Sequence, residues 1–157
     1  MIRASVEPWI EEPLRDFVQD AGALLALLLQ PSGQVLAQHG WTRAVDIMSA
    51  CALAAAIHAS SSELGRQLEG KPFDALHQPG TDRQVFLAGA QTARGPYILL
   101  TVFDQDSSLG LVRMYFDEFR TNLANAAPAN AAAAEPVINE HFETELNRNL
   151  AMLFGRA

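Results

Sequence analysis

The side chains that could support metal or nucleophile chemistry are four histidines and one cysteine. His39, His58, His77 and His141 fall in different predicted elements, and none has a second histidine or a cysteine at ligand spacing. Cys51 precedes His58 by two helical turns, roughly 10 Å of helix rise, which is too far for a hydrogen bond between nucleophile and base. The pattern therefore predicts no catalytic pair, no metal site and no cofactor.

The alternate spacing of Asp104, Asp106 and Ser108 is that of a calcium loop. The sixth position of such a loop is Leu109 instead of glycine, and the twelfth is Tyr115 instead of glutamate, so we reject calcium. We expect these oxygens to accept hydrogen bonds from the first amides of a following helix. The sequence also lacks a Gly-x-x-x-x-Gly-Lys loop, so it does not predict nucleotide binding of the P-loop kind.

Length and composition limit the class of protein further. The 157 residues suit one domain, and a single cysteine excludes an internal disulfide and fits a reducing compartment. The net charge of −7, with scattered basic residues, argues against nucleic acid as a partner. The longest apolar strand, Ala23–Leu29, is far shorter than a membrane span, and the acidic start does not resemble a signal peptide. We therefore predict a cytoplasmic protein with no membrane partner.

Periodicity and turn residues predict three helices and five strands. Pro31 and Gly33 lie in a turn between two strands, because proline presets φ and glycine supplies a positive φ. The predicted elements are a helix at Pro13–Ala21, strands at Ala23–Leu29 and Val35–His39, a long helix from about Thr42 to Leu68, strands at Ala75–Gln78, Gln84–Ala90 and Tyr97–Phe103, and a helix from about Leu109 to Leu123. This order, α-β-β-α-β-β-β-α, predicts an α/β (α+β) fold in which helices sandwich an antiparallel five-stranded sheet.

The chain is divided by a change in composition after the last predicted domain helix. We assign residues 1–12 to an N-terminal arm, 13–123 to the domain, 124–136 to an Ala/Pro linker and 137–157 to an amphipathic C-terminal helix. The apolar stripe of that tethered helix consists of Ile138, Phe142, Leu146, Leu150 and Leu153. Such a helix either docks on its own domain or contacts a partner, and both alternatives remain open.

The long helix has two sides that could each be buried. We expect its leucine-rich side to face the sheet, with Leu53, Ile57, Leu64 and Leu68 in the core. The opposite side is small and weakly polar and consists of Ile47, Met48, Cys51, Ala54, Ala55, His58 and Ser62. That side is interpreted as a surface for another helix or protein, with ordinary solvent exposure as the alternative.

Several segments, in this order, resemble the roadblock (dynein light chain) family. They are Gly22-Ala23-Leu24, the run from Pro31 to Ala37, the run from Ser60 to Gly65, and Phe103-Asp104 followed by Ser107-Ser108-Leu109-Gly110-Leu111-Val112-Arg113. The chain is most similar to the bacterial MglB branch, whose partner is the Ras-like GTPase MglA. The resemblance covers about Leu14 to Leu123, and a tethered C-terminal helix also fits that branch.

The resemblance implies a homodimer in which two sheets join edge to edge and two long helices lie side by side. This platform would bind one small Ras-like GTPase (MglA-like) and activate it without an inserted arginine, in cell polarity or motility. The residues expected to bind the GTPase are Arg43, Ile47, Met48, Cys51, Ala55, His58, Ser62 and Arg66, and those expected at the dimer interface are Ala52, Ala54, Leu76 and Gln78. Trp41 and Arg43 open the long helix and match no family motif, and Trp41 is either an interface anchor or a cap on the core.

Three functions compete on the sequence alone. The first is a non-enzymatic regulator that stimulates GTP hydrolysis, and the second is a passive roadblock scaffold that leaves nucleotide turnover unchanged. The third is a small-molecule sensor, which would need a polar-lined cavity. The predicted strands offer mainly Leu, Val, Ile and Phe, which favours a filled core over a cavity.

Overall fold

The computed structural model describes residues 2–5, 7–40 and 46–128. Its elements in chain order are β1 (Ile2–Ser5), α1 (Pro8–Ala21), β2 (Leu25–Leu29), β3 (Val35–Gly40), α2 (Ile47–Glu69), β4 (Ala75–Pro79), β5 (Gln84–Thr92), β6 (Gly95–Phe103) and α3 (Leu109–Ala126). Trp41, Arg43, most of the predicted linker and the predicted C-terminal helix at 137–157 lie outside the described residues.

The strands form one antiparallel sheet in the order β1-β3-β2-β6-β5-β4. Helices α1 and α3 cover one face of this sheet, and α2 covers the other. The predicted order of helices and strands and the antiparallel sandwich are confirmed. β4 and β1 are the two edge strands among the described residues.

The N-terminal segment contains more structure than the sequence predicted. β1 pairs with β3 inside the segment expected to be an arm, so the sheet has six strands rather than five. α1 begins at Pro8, and Pro13 lies inside the helix. Pro8 suits the first helical position, where an N–H would have no partner, and the buried Ile10 extends the apolar stripe of Leu14 by one turn. The predicted start at Pro13 is therefore wrong by five residues.

The predicted β2–β3 hairpin is confirmed. Its turn is closed by two backbone hydrogen bonds, from Gln30 N to Gln34 O at 2.9 Å and from Gly33 N to Gln30 O at 2.8 Å. Gly33 has a φ of 95°, and a Cβ there would lie 3.3 Å from Ala52 Cα in α2. Glycine therefore permits both the turn and the close approach of the turn to the helix.

The first core cluster lies between the sheet and the pair α1 and α3. The predicted stripe of α3 is buried as expected and consists of Val112, Phe116, Phe119 and Leu123. Phe119 contacts Phe17 of α1 with ring centroids 5.5 Å apart, and Phe116 contacts Phe86 of β5 at 5.4 Å. Aromatic side chains therefore hold both helices against this face.

Of the polar residues predicted to cap α3, the structure shows this role for Ser108, whereas Asp104 bonds within the turn that precedes the helix. The Ser108 side chain accepts a hydrogen bond from Leu111 N at 3.2 Å, and Asp104 accepts one from Asp106 N at 2.9 Å. At its other end α3 continues to Ala126, three residues beyond the predicted end at Leu123. Alanine has the highest helix propensity, which accounts for the extension.

Candidate protein-interaction surface

Both ends of α2 are defined by capping groups. The Asp46 carboxylate accepts hydrogen bonds from Ser49 Oγ at 2.8 Å and from Ser49 N at 3.2 Å. Gly70 ends the helix with a φ of 76°, and its N–H donates to Arg66 O at 3.0 Å. These caps hold 23 residues in one helix across the sheet.

The N-cap makes the stability of α2 depend on pH. Hydrogen bonds from the Ser49 hydroxyl and amide lower the pKa of Asp46 from its ordinary value of 3.8. A carboxyl group with a lowered pKa stabilises the fold above its unfolded pKa, and this contribution is lost as the pH falls through the folded value. We expect Asp46→Ala to lower the melting temperature at neutral pH, with a difference from wild type that shrinks as the pH falls below 3.8.

Thermal melts followed by circular dichroism over an acid pH series test this expectation. Asp46→Asn is the control, because asparagine caps a helix without a titratable group. A melting-temperature difference between Asp46→Ala and wild type that stays constant through the acid range would contradict the capping role.

The sheet-facing side of α2 consists of small residues. The buried residues of the helix are Cys51, Ala54, Ala55, Ser62 and Gly65. Cys51, Ala54 and Ala55 belong to the second core cluster, whose sheet residues are Leu25, Leu27, Leu29, Leu87, Ile98 and Leu100. Ser62 and Gly65 lie against the segment that leads into β4. Small side chains on the helix therefore complement large ones on the strands.

The predicted orientation of α2 is wrong. Leu53 and Leu64 were expected in the core, yet the structure places them on the side away from the sheet, while Cys51 and Ala55 face the strands. Helical periodicity separates the two sides of a helix but does not indicate which one is inside. The leucines on the strands fill most of this core, so only small side chains such as alanine and cysteine fit on the helix side.

The outward side of α2 carries a row of exposed apolar side chains, here called the outer stripe. Its members are Leu53 (63% exposed), Ile57 (46%), Leu64 (52%) and Leu68 (67%). They extend over about 22 Å of helix at 1.5 Å per residue. Exposed apolar side chains over this length of one helix are typical of a surface that contacts another protein.

Small residues interrupt the outer stripe at its centre. Ser60 and Ser61 lie between Ile57 and Leu64 along the helix. A shallow depression next to this gap is lined by Ala59, Ser60, Glu63, Leu64 and Gln67. The centre of the outer stripe is therefore a shallow depression with apolar residues on both sides. A helix or strand of another protein can approach the backbone of α2 closely at this point.

The structure divides the predicted site residues into three groups. The exposed ones are Met48, Ala52, Arg66 and Gln78, and the half-buried ones are Ile47, His58 and Leu76. The buried ones are Cys51, Ala54, Ala55 and Ser62. The assignment of the buried group to an interface is wrong. The first three pack on the strands, and Ser62 is covered by the segment before β4, so none of these side chains is at the surface. Arg43 lies outside the described residues.

Sequence reasoning missed the outer stripe because two polar residues suggested that the small side faces outward. Ser62 is nevertheless buried, and its hydroxyl donates to Phe73 O at 3.1 Å. His58 packs against the strands at Gly89, where a Cβ would lie 3.5 Å from His58 Nε2. The signal available in the sequence was side-chain size, since a helix lying on leucine-rich strands needs small residues at the contact.

A close contact joins the end of α2 to the start of β4. A Cβ on Gly65 would lie 2.3 Å from Phe73 N and 2.7 Å from Lys71 O, so the connecting segment lies directly on the helix backbone. The hydrogen bond from Ser62 to Phe73 O holds the same segment. The helix and the edge strand are therefore fixed to each other through a short connection.

His39, Cys51, His58 and His77, which were considered for metal or nucleophile chemistry, lie among the described residues, and His141 lies outside them. Burial raises the pKa of the Cys51 thiol, which keeps it protonated at neutral pH. Among residues 2–5, 7–40 and 46–128, no three His, Cys, Asp or Glu side chains converge in a way that could hold a metal ion.

α2 is a long helix with a high content of apolar residues. By length and mean hydropathy alone, α2 could cross a membrane. In the structure, one side of this helix packs on the sheet and the other side carries the outer stripe. The apolar content of α2 is therefore divided between the core of the domain and the exposed outer stripe.

Comparisons with known proteins identify the fold. No protein-family model and no curated protein matches the sequence. Among solved structures, Myxococcus xanthus MglB is 23% identical, with a TM-score of 0.69 over 75% of this chain and 94% of that one. The gliding protein MglB of Thermus thermophilus is 23% identical, with a TM-score of 0.67 over 79% of this chain and 92% of that one.

A third solved structure extends the similarity to a separate roadblock domain. The Roadblock/LC7 domain from Streptomyces avermitilis is 16% identical, with a TM-score of 0.62, and the match covers 76% of this chain and 95% of that one. The matches thus cover nearly the whole length of the compared chains. The antiparallel sheet between α2 and the pair α1 and α3 is a roadblock-type fold similar to that of MglB.

Proposed function

We propose that this chain is a homodimeric, non-enzymatic regulator of a small Ras-like GTPase in the cytoplasm. The dimer binds the GTPase on its two α2 helices and stimulates hydrolysis of GTP by the GTPase's own catalytic groups. The observation that carries this proposal is the exposed outer stripe, which an isolated domain has no reason to maintain. A role in cell polarity or motility agrees with the similarity to a gliding protein of the MglB type.

The open edge of β4 supports the homodimer. An edge strand with free backbone groups is a template for pairing with another strand. Leu76 and Gln78, both predicted at the dimer interface, lie in β4, and their side chains face the same side of the sheet as α2. Pairing at this edge would bring two α2 helices to one side of a continuous sheet.

A single-turnover assay tests the proposed activity. The cognate GTPase is loaded with GTP, this protein is added to saturation, and the release of phosphate is followed. We expect about a tenfold or larger acceleration, which corresponds to at least about 1.4 kcal/mol of transition-state stabilisation. The protein without the GTPase should release no phosphate.

Arginine variants test whether the regulator inserts a catalytic group. Arg66 is exposed and pairs with Glu63 at 3.2 Å on the surface of α2. We expect Arg66→Ala and Arg43→Ala to weaken binding at most, with full stimulation at saturation. A variant that binds normally and stimulates nothing would establish an inserted arginine instead. Binding of the wild-type protein without any acceleration would identify a passive scaffold.

A further inference from the structure

The hydrogen bonds between β4 and β5 determine which backbone groups of the edge strand face outward. Gly89 N donates to Asp74 O at 3.1 Å, and Gly80 N donates to Arg83 O at 2.8 Å. Continuing the β4–β5 register by one residue at each end places Asp74 opposite Gly89 and Gly80 opposite Arg83. Both bonds therefore join directly opposite residues. In an antiparallel pair, such hydrogen-bonded positions alternate with positions whose groups point away from the neighbouring strand.

The backbone groups that face outward from the open edge of β4 are therefore those of its odd-numbered residues. Leu76 and Gln78 direct their N–H and C=O groups to β5, while Ala75, His77 and Pro79 direct theirs away from it. β5 is the only neighbour of β4 in the part of the chain that the structure describes. Since proline has no N–H, the edge offers the donors of Ala75 and His77 and the acceptors of all three residues.

We propose that a second copy of this chain pairs antiparallel with this edge, with the two-fold axis passing through Leu76. This inference rests on the homodimer of the proposed function and adds the register of its sheet. Ala75 of each copy then lies opposite His77 of the other, and the N–H and C=O groups of both residues are all paired. An axis at His77 would set Ala75 against Pro79, which leaves the Ala75 carbonyl without a donor.

Side-chain sizes favour the same register. Leu76 is half-buried and packs on the cluster beneath α2, so an axis at this position brings two leucines together on the α2 side. On the other face, His77 stacks on Phe103 with ring centroids 6.1 Å apart and bonds Gln84 at 2.8 Å. The methyl group of Ala75 from the second copy leaves room for this ring, whereas an axis at His77 would oppose two imidazoles.

Disulfide trapping in solution tests the register. In a Cys51→Ala background, single cysteines replace Leu76, His77 or Gln78, and each purified protein is oxidised and separated on a non-reducing gel. We expect Leu76→Cys to form covalent dimers at least about ten times faster than the other two. Its Cα atoms would lie about 4.5 Å apart across the axis, whereas those of the other two positions would lie beyond the roughly 7 Å limit for a disulfide.

A mixed experiment tests the register without altering Leu76. Ala75→Cys and His77→Cys proteins, each in the Cys51→Ala background, should form covalent heterodimers when mixed, and neither should dimerise covalently alone. Light scattering behind size exclusion establishes the mass of every variant first. A monomer would refute the homodimer itself. A dimer that links through His77→Cys alone, or through none of these positions, would overturn the register and leave the proposed function intact.

Discussion

Ala55→Arg is expected to destabilise the domain by about 3–5 kcal/mol, the cost of an unpaired charge in a core. Ala55 faces the sheet within the second core cluster, where the neighbouring side chains are apolar. A long cationic side chain can neither fit under α2 nor reach a counter-ion there. Because domains of this size are stable by roughly 5–15 kcal/mol, the variant should lose much or all of its cooperative thermal transition.

Ala59→Arg is the matched control for this prediction. It places the same charge one turn further along α2, at an exposed position, and should change the free energy of unfolding by less than about 0.5 kcal/mol. Urea titrations followed by circular dichroism compare both variants with wild type. Equal stability of Ala55→Arg and Ala59→Arg would show that the small side of α2 does not face the sheet.

Leu53→Arg and Leu64→Arg are expected to preserve the fold and weaken binding of the GTPase. Both side chains belong to the outer stripe and are more than half exposed, so the charged replacement remains in water. In a complex it would enter an apolar contact, where hot-spot residues contribute about 2 kcal/mol or more. We therefore expect the affinity for the GTPase to fall roughly 30-fold or more, as measured by calorimetric titration.

Met114→Arg on α3 controls for the change from an apolar to a charged surface residue. Met114 is also exposed, but it lies on the helix layer opposite α2. Its substitution should leave affinity and dimer mass unchanged. Equal losses from Met114→Arg and Leu64→Arg would contradict a specific site on α2, and a monomeric Leu53→Arg would assign that part of the stripe to self-association.

The sequence predicted well those helices and turns for which a single feature, either one apolar period or one set of turn residues, determines the structure. The buried stripe of α3 from Val112 to Leu123 follows a single helical period, and the β2–β3 turn at Gly33 depends on local backbone chemistry. α2 gave a misleading result because both of its sides are apolar, and only the strands beneath decide which one is inside. Leu53 was consequently predicted in the core although it is exposed.

The candidate site stays a prediction. The sequence placed it on α2 and at the edge of the sheet, but it selected the buried Cys51 and Ala55 in place of the exposed Leu53 and Leu64. The register at the β4 edge was not predictable, because it depends on which amides already bond β5. That information exists only after the hairpin of β4 and β5 has formed.

The contact of Gly65 with the segment before β4 has a thermodynamic consequence. Phe73 contacts the helix backbone at Gly65 and accepts a hydrogen bond from the Ser62 hydroxyl, so direct contacts link α2 to the segment that leads into β4. When binding at one surface changes the affinity of another, the effect is equal in both directions. If the GTPase binds the dimer more tightly than the monomer, it must strengthen self-association by the same factor. The amount of active regulator would then rise with the supply of its own target.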